Sequence, residues 1–181
     1  VQNQIPEAVK EFETAIKLNP KFAQAHYYLG TARYFSDDAE GAIKALKQAA
    51  VLMPNNTDAH YYLGLAYGRK GDLTSAITSL KEAAKLAPEM LEVRQAMAQA
   101  FMADDDLDAA AEEFRAVIKL QPDFVQGYND LGLILIEKRM PDEAIETFQK
   151  ALSIEPNNTV VRHNLGIALI QKADFEAAVK N

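Results

Sequence analysis

The sequence contains no cysteine. Disulfide bonds, thiolate nucleophiles and zinc sites with cysteine ligands are therefore excluded. The three histidines form no i, i+4 pair and lie beside no carboxylate pattern that would complete a zinc site. We therefore expect neither a metal nor a cofactor.

Positive charge is also scarce, since 26 acidic residues outnumber 19 basic ones and the formal net charge is −7. A nucleic-acid binder needs a basic face that displaces counterions from phosphates. The sequence shows no stripe of lysine and arginine, so we expect no nucleic-acid partner.

Long apolar runs are missing as well. The longest notable run, "LGLILI" at 131–136, is about a third of the roughly eighteen residues that a membrane span needs. We therefore expect no membrane span. The composition, 49% hydrophobic and 25% charged, is typical of globular proteins. We expect a cytoplasmic location, with other compartments left open.

The common catalytic and ligand-binding motifs are absent. No glycine-rich phosphate loop occurs, and no serine lies in a nucleophile elbow. The stretch "DDDLD" at 104–108 resembles the start of a calcium loop, but its sixth place lacks glycine and its twelfth is Arg115. We interpret it as a solvated turn, and we expect no enzymatic activity.

A period of thirty-four residues runs through the whole chain. "AHYYLG" occurs at 25–30 and again at 59–64, and five prolines share the same spacing. With proline placed at position 32, the full repeats are 23–56, 57–90, 91–124 and 125–158, with partial repeats at 1–22 and 159–181. Repetition at this length predicts a solenoid.

Each repeat is predicted to contain two helices. Apolar residues at positions 3, 7, 10 and 11 have the spacing of an amphipathic helix, here named helix A, over roughly positions 2–14. Helix B follows and ends before the proline. Aspartate at position 16 is expected to cap helix B, and Pro141 suits its first turn. The predicted capping residues are Asp38, Asp72, Asp106 and Asp174.

Small residues at two positions predict close contact between helices A and B. Position 8 holds glycine or alanine, and position 20 holds alanine: Gly30, Gly64, Ala98, Gly132 and Gly166, then Ala42, Ala76, Ala110, Ala144 and Ala178. Larger residues at position 24 should fill the space beside them. Because one helical pair cannot bury both of its faces, successive pairs must stack.

This pattern resembles the tetratricopeptide repeat (TPR) family. The family motif has Leu-Gly at 7–8, tyrosine at 11, alanine at 20 and 27, and proline at 32. The resemblance implies an all-α fold, a right-handed superhelical solenoid of stacked antiparallel helix pairs, forming one domain over 1–181. Position 4 departs from the family's aromatic residue, since it holds His26, His60, Arg94, Tyr128 and Arg162.

Three further expectations follow from the repeats. At His26 and His60 we expect partly buried rings that pack in place of the family's aromatic residue. The repeat 91–124 is the least typical, so we expect looser packing there. Residues 5–18 have the pattern of a helix B without its helix A, and 174–181 begin another helix B, so we expect more repeats beyond at least one end.

The resemblance places the binding surface on the concave face, at positions 2, 5, 6, 9, 12 and 13 of helix A. Tyr28 and Tyr62, at position 6, fit packing between neighbouring A helices as well as binding. The aliphatic residues at positions 9 and 12 should form one patch. The predicted binding residues are Tyr27, Tyr34, Tyr61, Leu65, Arg69, Met102, Asn129, Leu133, Ile136, His163, Ile167 and Ile170.

The resemblance implies a non-catalytic scaffold or adaptor that binds a peptide or helix of a partner protein. Family members that bind the acidic tails of heat-shock chaperones use lysine and arginine at positions where this chain has residues such as Glu92 and Asp130. We therefore expect an apolar or mildly basic segment and not those tails. The alternatives are a self-assembling, homo-oligomeric TPR module and the regulatory arm of a larger enzyme.

Overall fold

The computed structural model describes residues 5–173, and these residues form ten α-helices and no strand. The predicted all-α class is therefore confirmed. The helices are α1 (Ile5–Leu18), α2 (Ala23–Phe35), α3 (Ala39–Leu52), α4 (Thr57–Lys70), α5 (Leu73–Leu86), α6 (Leu91–Ala103), α7 (Leu107–Leu120), α8 (Val125–Glu137), α9 (Pro141–Ile154) and α10 (Thr159–Gln171).

The helix boundaries follow the register of the repeats. Every A helix begins at position 1, and every B helix runs from position 17 to position 30. The side chains of Asp38, Asp72 and Asp106 accept hydrogen bonds of 2.8 to 3.1 Å from backbone N–H groups three residues later, so their predicted capping role is confirmed. Asn56 and Asn158 cap α4 and α10 in the same way.

Helix α9 begins differently, because Met140 has no capping side chain and Pro141 occupies the first turn. Proline suits that place since its missing N–H would have no partner there. The predicted cap Asp174, with Ala178 and the helix start predicted at 174–181, lies outside the described residues.

The chain forms two compact units, Val1–Asp104 and Asp105–Asn181, and the division falls inside the third repeat. In the first unit, α2 pairs with α3 and α4 with α5, and neighbouring A helices also pack side by side. In the second unit, α8 packs against α7, α9 and α10. The single solenoid over 1–181 and the loose packing of the third repeat stay predictions.

Glycine at position 8 lies directly beneath the side chain at position 24 of the same helical pair. A Cβ atom on Gly64 would lie 2.6 Å from Cγ of Leu80, and Gly30 and Gly132 face Leu46 and Phe148 in the same way. The position 24 side chains are buried in these pairs, as is the alanine at position 20. The predicted close approach of helices A and B is confirmed for these pairs.

Position 4 has a role that packing alone does not describe. His26 Nε2 donates a hydrogen bond of 2.9 Å to the carbonyl oxygen of Pro20, the last proline before its repeat. The side chains of His60, Arg94, Tyr128 and Arg162 donate to the carbonyls of Pro54, Pro88, Pro122 and Pro156. Both histidines are partly buried, as predicted, and each also fixes the turn between two repeats.

Ion pairs also link neighbouring repeats, from lysine at position 14 to an acid at position 18 of the preceding repeat. Lys70 pairs with Glu40 at 3.0 Å, and Lys172 pairs with Asp142 at 2.7 Å. Lys138 pairs with Asp108 in the same geometry. Exposed pairs of this kind typically contribute about 0–1 kcal/mol each, so they orient more than they stabilise.

Candidate protein-binding site

The first unit carries a continuous cluster of aromatic rings on α1, α2 and α4, named here the aromatic cluster. Tyr62 is its centre, with ring centroids at 5.2 to 6.2 Å from four other members. Phe12 stacks on Tyr28 at 5.6 Å with an interplanar angle of 20°. The members are Phe12, Tyr27, Tyr28, Tyr34, Phe35, Tyr61 and Tyr62.

The repeated "AHYYLG" explains how the cluster forms. It puts two tyrosines on the second turn of α2 and two on the second turn of α4, and these helices lie side by side. Tyr62 packs between the rings of both helices. Tyr28 stacks on Phe12 of α1 and is 51% exposed. Tyr62 therefore has mainly a packing role, whereas Tyr28 both packs and keeps about half of its surface open to a partner.

The aromatic cluster lies in a negative environment. Burial and the carboxylate of Asp58 raise the pKa of Tyr27 to about 12. Burial also raises the pKa of Tyr61 and Tyr62, and the nearby charge of Asp58 acts in the same direction on both, joined at Tyr61 by Glu92. A further negative charge is therefore unfavourable among these rings.

Arg69 is engaged within the first unit itself. Its guanidinium carbon lies 3.9 Å from the centroid of the Tyr34 ring, and Nη1 donates to the backbone oxygen of Tyr34 at 2.5 Å. The same nitrogen donates to Oδ1 of Asp37 at 2.8 Å. Arg69 therefore lies at the edge of the aromatic cluster, with its charge balanced by Asp37.

The other predicted residues of the first unit are aliphatic. Leu65, one turn after Tyr61 on α4, is partly buried. Met102 near the end of α6 is 37% exposed. Both side chains are apolar, so they offer only apolar contact area.

The second unit presents four aliphatic residues on α8 and α10, which pack against each other. We name them the aliphatic face: Leu133, Ile136, Ile167 and Ile170. Leu133 is 37% exposed, Ile167 40% and Ile170 55%, whereas Ile136 is partly buried. Within each helix the two members are three residues apart and project from the same side. These side chains offer apolar area that helix pairing leaves open.

A buried polar network lies on the same two helices. Asn164 Nδ2 donates to Asn129 Oδ1 at 2.8 Å, and both asparagines are buried. Asn129 Nδ2 and Gln126 Nε2 donate to Oδ1 of Asp130, whose pKa is raised by burial. Asn129, predicted to line the binding surface, is therefore engaged inside this network, whereas His163 is exposed.

No helix within residues 5–173 is long and apolar enough to cross a membrane. The same range contains no group of three or more metal-ligating side chains placed to hold an ion.

Sequence comparison identifies the family of the repeats. Models described as tetratricopeptide repeat or TPR repeat match residues 2–35, 37–71, 57–90 and 96–159. The chain belongs to the tetratricopeptide repeat family. The TPR fold is typical of non-catalytic protein-interaction modules. No curated protein matches the sequence.

Solved structures share the TPR fold over most of their length. A crystal structure of MamA is 25% identical, with a TM-score of 0.82 and coverage of 86% of this chain and 91% of that one. MamA from Desulfovibrio magneticus RS-1 is 23% identical, with a TM-score of 0.79 and coverage of 87% and 89%. YrrB, described as a TPR protein with an unusual peptide-binding site, is 23% identical, with a TM-score of 0.80 and coverage of 89% and 83%.

Proposed function

We propose that this TPR protein is a non-catalytic scaffold or adaptor that binds a peptide or helix of a partner protein. The proposed surface lies within each unit on the A helices at positions 2, 5, 6, 9, 12 and 13, named here the A-helix face. One observation carries the proposal: large apolar side chains stay at least a third exposed at these positions in both units. They are Tyr28, Phe35, Met102, Leu133, Val160, Ile167 and Ile170.

Helix pairing does not account for this exposure. The apolar stripe at positions 3, 7, 10 and 11 already packs the A helices, and its members on α4 and α8 are largely buried. Additional apolar residues on the neighbouring side gain nothing from the pairing. Apolar patches of roughly 300 Å² or more on protein surfaces tend to be functional. The description of YrrB as a TPR protein with a peptide-binding site agrees with this use of the fold.

The charges of the A-helix face favour an apolar or mildly basic segment. Asp58 and Glu92 act on the tyrosines of the first unit, and Arg69 is balanced by Asp37. An acidic tail would therefore meet like charge without a compensating cation, which costs specificity and slows encounter.

A random peptide display library tests the proposal without a known partner. The chain is immobilised, and the sequences it retains are compared with those retained by a variant with Tyr28→Ser, Leu133→Asp and Ile167→Asp. We expect the wild-type chain to enrich apolar peptides, and we expect the variant to lose that enrichment while circular dichroism shows an unchanged helix content. Equal enrichment by both chains would contradict the proposed surface.

Self-assembly is the second candidate function, and the aliphatic face of the second unit favours it. A copy of the same chain could cover this apolar area as a peptide would. Light scattering over a range of protein concentrations separates the two functions. A mass that rises with concentration and falls back in the Leu133→Asp, Ile167→Asp variant would support self-assembly.

A further inference from the structure

We propose that the aromatic cluster of the first unit binds the cationic side chain of an arginine or lysine in the partner segment. This inference rests on the proposed function and specifies the chemistry of one part of its surface. The cation would lie against the rings of Tyr27, Tyr61 and Tyr62, with the carboxylates of Asp58 and Glu92 beside it.

The rings supply the first half of such a site. Tyr27 and Tyr61 have centroids at 6.2 and 5.2 Å from that of Tyr62, and all three rings are only partly buried. Aromatic faces attract a guanidinium or ammonium group that comes within about 6 Å of the ring centroid. Rings this close together can contact one cation from more than one side.

The molecule already shows this interaction in the same cluster. The guanidinium of Arg69 lies over the ring of Tyr34 at 3.9 Å, and the carboxylate of Asp37 balances its charge at 2.8 Å. A cation, an aromatic face and an adjacent carboxylate therefore fit together on this surface. The internal cation occupies the ring of Tyr34, which is not one of the three rings proposed to hold the partner's cation.

Two carboxylates supply the second half of the site. Asp58 precedes Tyr61 and Tyr62 by three and four residues on α4, so the three side chains share one face of the helix. Glu92 takes the equivalent place on α6. Neither acid has an ion-pair partner within residues 5–173, although Asp37, Glu40 and Glu82 of the same unit do.

The titration of the rings points in the same direction. The pKa of Tyr27 is raised to about 12, first by burial and then by Asp58. Burial opposes any charge at the ring, whereas the Asp58 carboxylate opposes a negative charge and attracts a positive one. Charge complementarity selects a basic segment over a purely apolar or an acidic one.

The sequences retained from the display library test the inference. We expect arginine or lysine to recur at one place in the peptides that the wild-type chain selects. The variant with Asp58→Asn and Glu92→Gln should lose that preference. The control variant carries Glu7→Gln and Glu89→Gln, which remove the same charge at residues that do not act on the pKa of these tyrosines, and it should keep the preference.

A selected peptide then gives a direct affinity. The chain has no tryptophan and seven tyrosines, of which only Tyr67 and Tyr128 lie outside the aromatic cluster, so tyrosine fluorescence reports on binding there. The peptide is compared with a copy in which the recurring arginine is replaced by citrulline, or the recurring lysine by acetyl-lysine, which keeps similar shape without charge. We expect the neutral copy to bind on the order of threefold to tenfold more weakly.

Each outcome has a defined meaning. Peptides without a basic preference, or equal affinity of the charged and neutral copies, would overturn the cation site and leave the proposed function standing. Retention of no peptide at all would contradict the proposed function and this inference with it. If the Asp58→Asn, Glu92→Gln variant keeps the preference for a basic residue, the two carboxylates do not contribute to the cation site and that part of the proposal is wrong.

Discussion

Single residues at position 15 show how the turn between helices A and B is formed. The backbone there has positive φ, between 61° and 82°, in each of the five described turns of this kind: Asp37, Gly71, Asp105, Arg139 and Ala173. A left-handed conformation costs a residue with a Cβ atom roughly 1–2 kcal/mol, and aspartate eases this cost through local hydrogen bonds. Arginine has no such help.

Arg139→Gly should therefore stabilise the second unit. Its side chain makes no hydrogen bond or ion pair within residues 5–173, so the substitution removes strain without removing a partner. We expect the free energy of unfolding in urea to rise by about 0.5–1 kcal/mol, because glycine's larger loss of chain entropy offsets part of the relief. Gly71→Ala is the opposite substitution and should lower the free energy of unfolding. A lower urea midpoint in Arg139→Gly would contradict the proposed backbone strain at Arg139.

Asp130 should make stability depend on pH. Burial raises its pKa in the folded chain above the ordinary value of about 3.9, so the folded state binds more protons in that window. The stability contribution of Asp130 is thus present below the unfolded pKa and is lost as the pH rises through the folded pKa. We expect the stability gained in Asp130→Asn to grow as the pH rises from about 4 through the folded pKa, measured by thermal melts. Asp123→Asn, an exposed aspartate of the same unit, controls for the lost charge.

The residues at position 4 show what sequence reasoning could not supply. Histidine, arginine and tyrosine share neither size nor hydropathy there, so periodicity gave only partly buried packing. The structure shows that each of these side chains donates a hydrogen bond to the carbonyl oxygen of the proline six residues earlier. A hydrogen bond of this kind depends on rotamer and turn geometry, which repeat spacing does not encode.

At the scale of helices, the sequence predicted most of what the structure shows. The prolines and the aspartate caps were sufficient to give the bounds of helix B, because each acts on the backbone through one local interaction. The contact between the small residue at position 8 and the larger one at position 24 was also predicted from the repeat pattern, and the structure confirms it for three helical pairs.

The two glycines of α4 make a matched pair of substitutions. A Cβ atom on Gly64 would lie 2.6 Å from Cγ of the buried Leu80, whereas Gly68 has nothing within 4 Å. We expect Gly64→Ala to destabilise by about 1–3 kcal/mol through overpacking. Gly68→Ala should stabilise by about 0.5–1 kcal/mol, because alanine is the better residue within a helix. Urea unfolding measures both, and equal effects would contradict the assigned contact.

At the scale of the whole molecule, the proposed binding surface was only partly predictable. The resemblance to the TPR family supplied its positions, and helical periodicity supplied the pairing stripe, since that follows from 3.6 residues per turn. Neither could show that Asn129 is bonded to Asn164 or that Arg69 lies on Tyr34. Those contacts join residues about thirty-five apart and depend on how neighbouring repeats stack.

The aliphatic face gives the final prediction. Leu133→Asp with Ile167→Asp should leave the helical fold intact, because both side chains are already more than a third exposed and lie outside the pairing stripe. Burial of this apolar area by a partner would contribute about 25 cal/mol per Å² to binding, and the two aspartates remove that contribution. We therefore expect the double variant to lose binding of library-selected peptides, self-association, or both, with unchanged circular dichroism.

Leu86→Asp with Leu120→Asp provides the control for this double variant. These leucines end B helices and are 39% and 40% exposed, so they match the first pair in residue class and exposure while lying off the A-helix face. Binding should survive in the control because the aspartates are outside the proposed contact area. If the Leu133→Asp, Ile167→Asp variant unfolds, Leu133 and Ile167 belong to the core and the prediction is wrong. If it folds and keeps every interaction that the control keeps, the binding surface lies elsewhere on the chain.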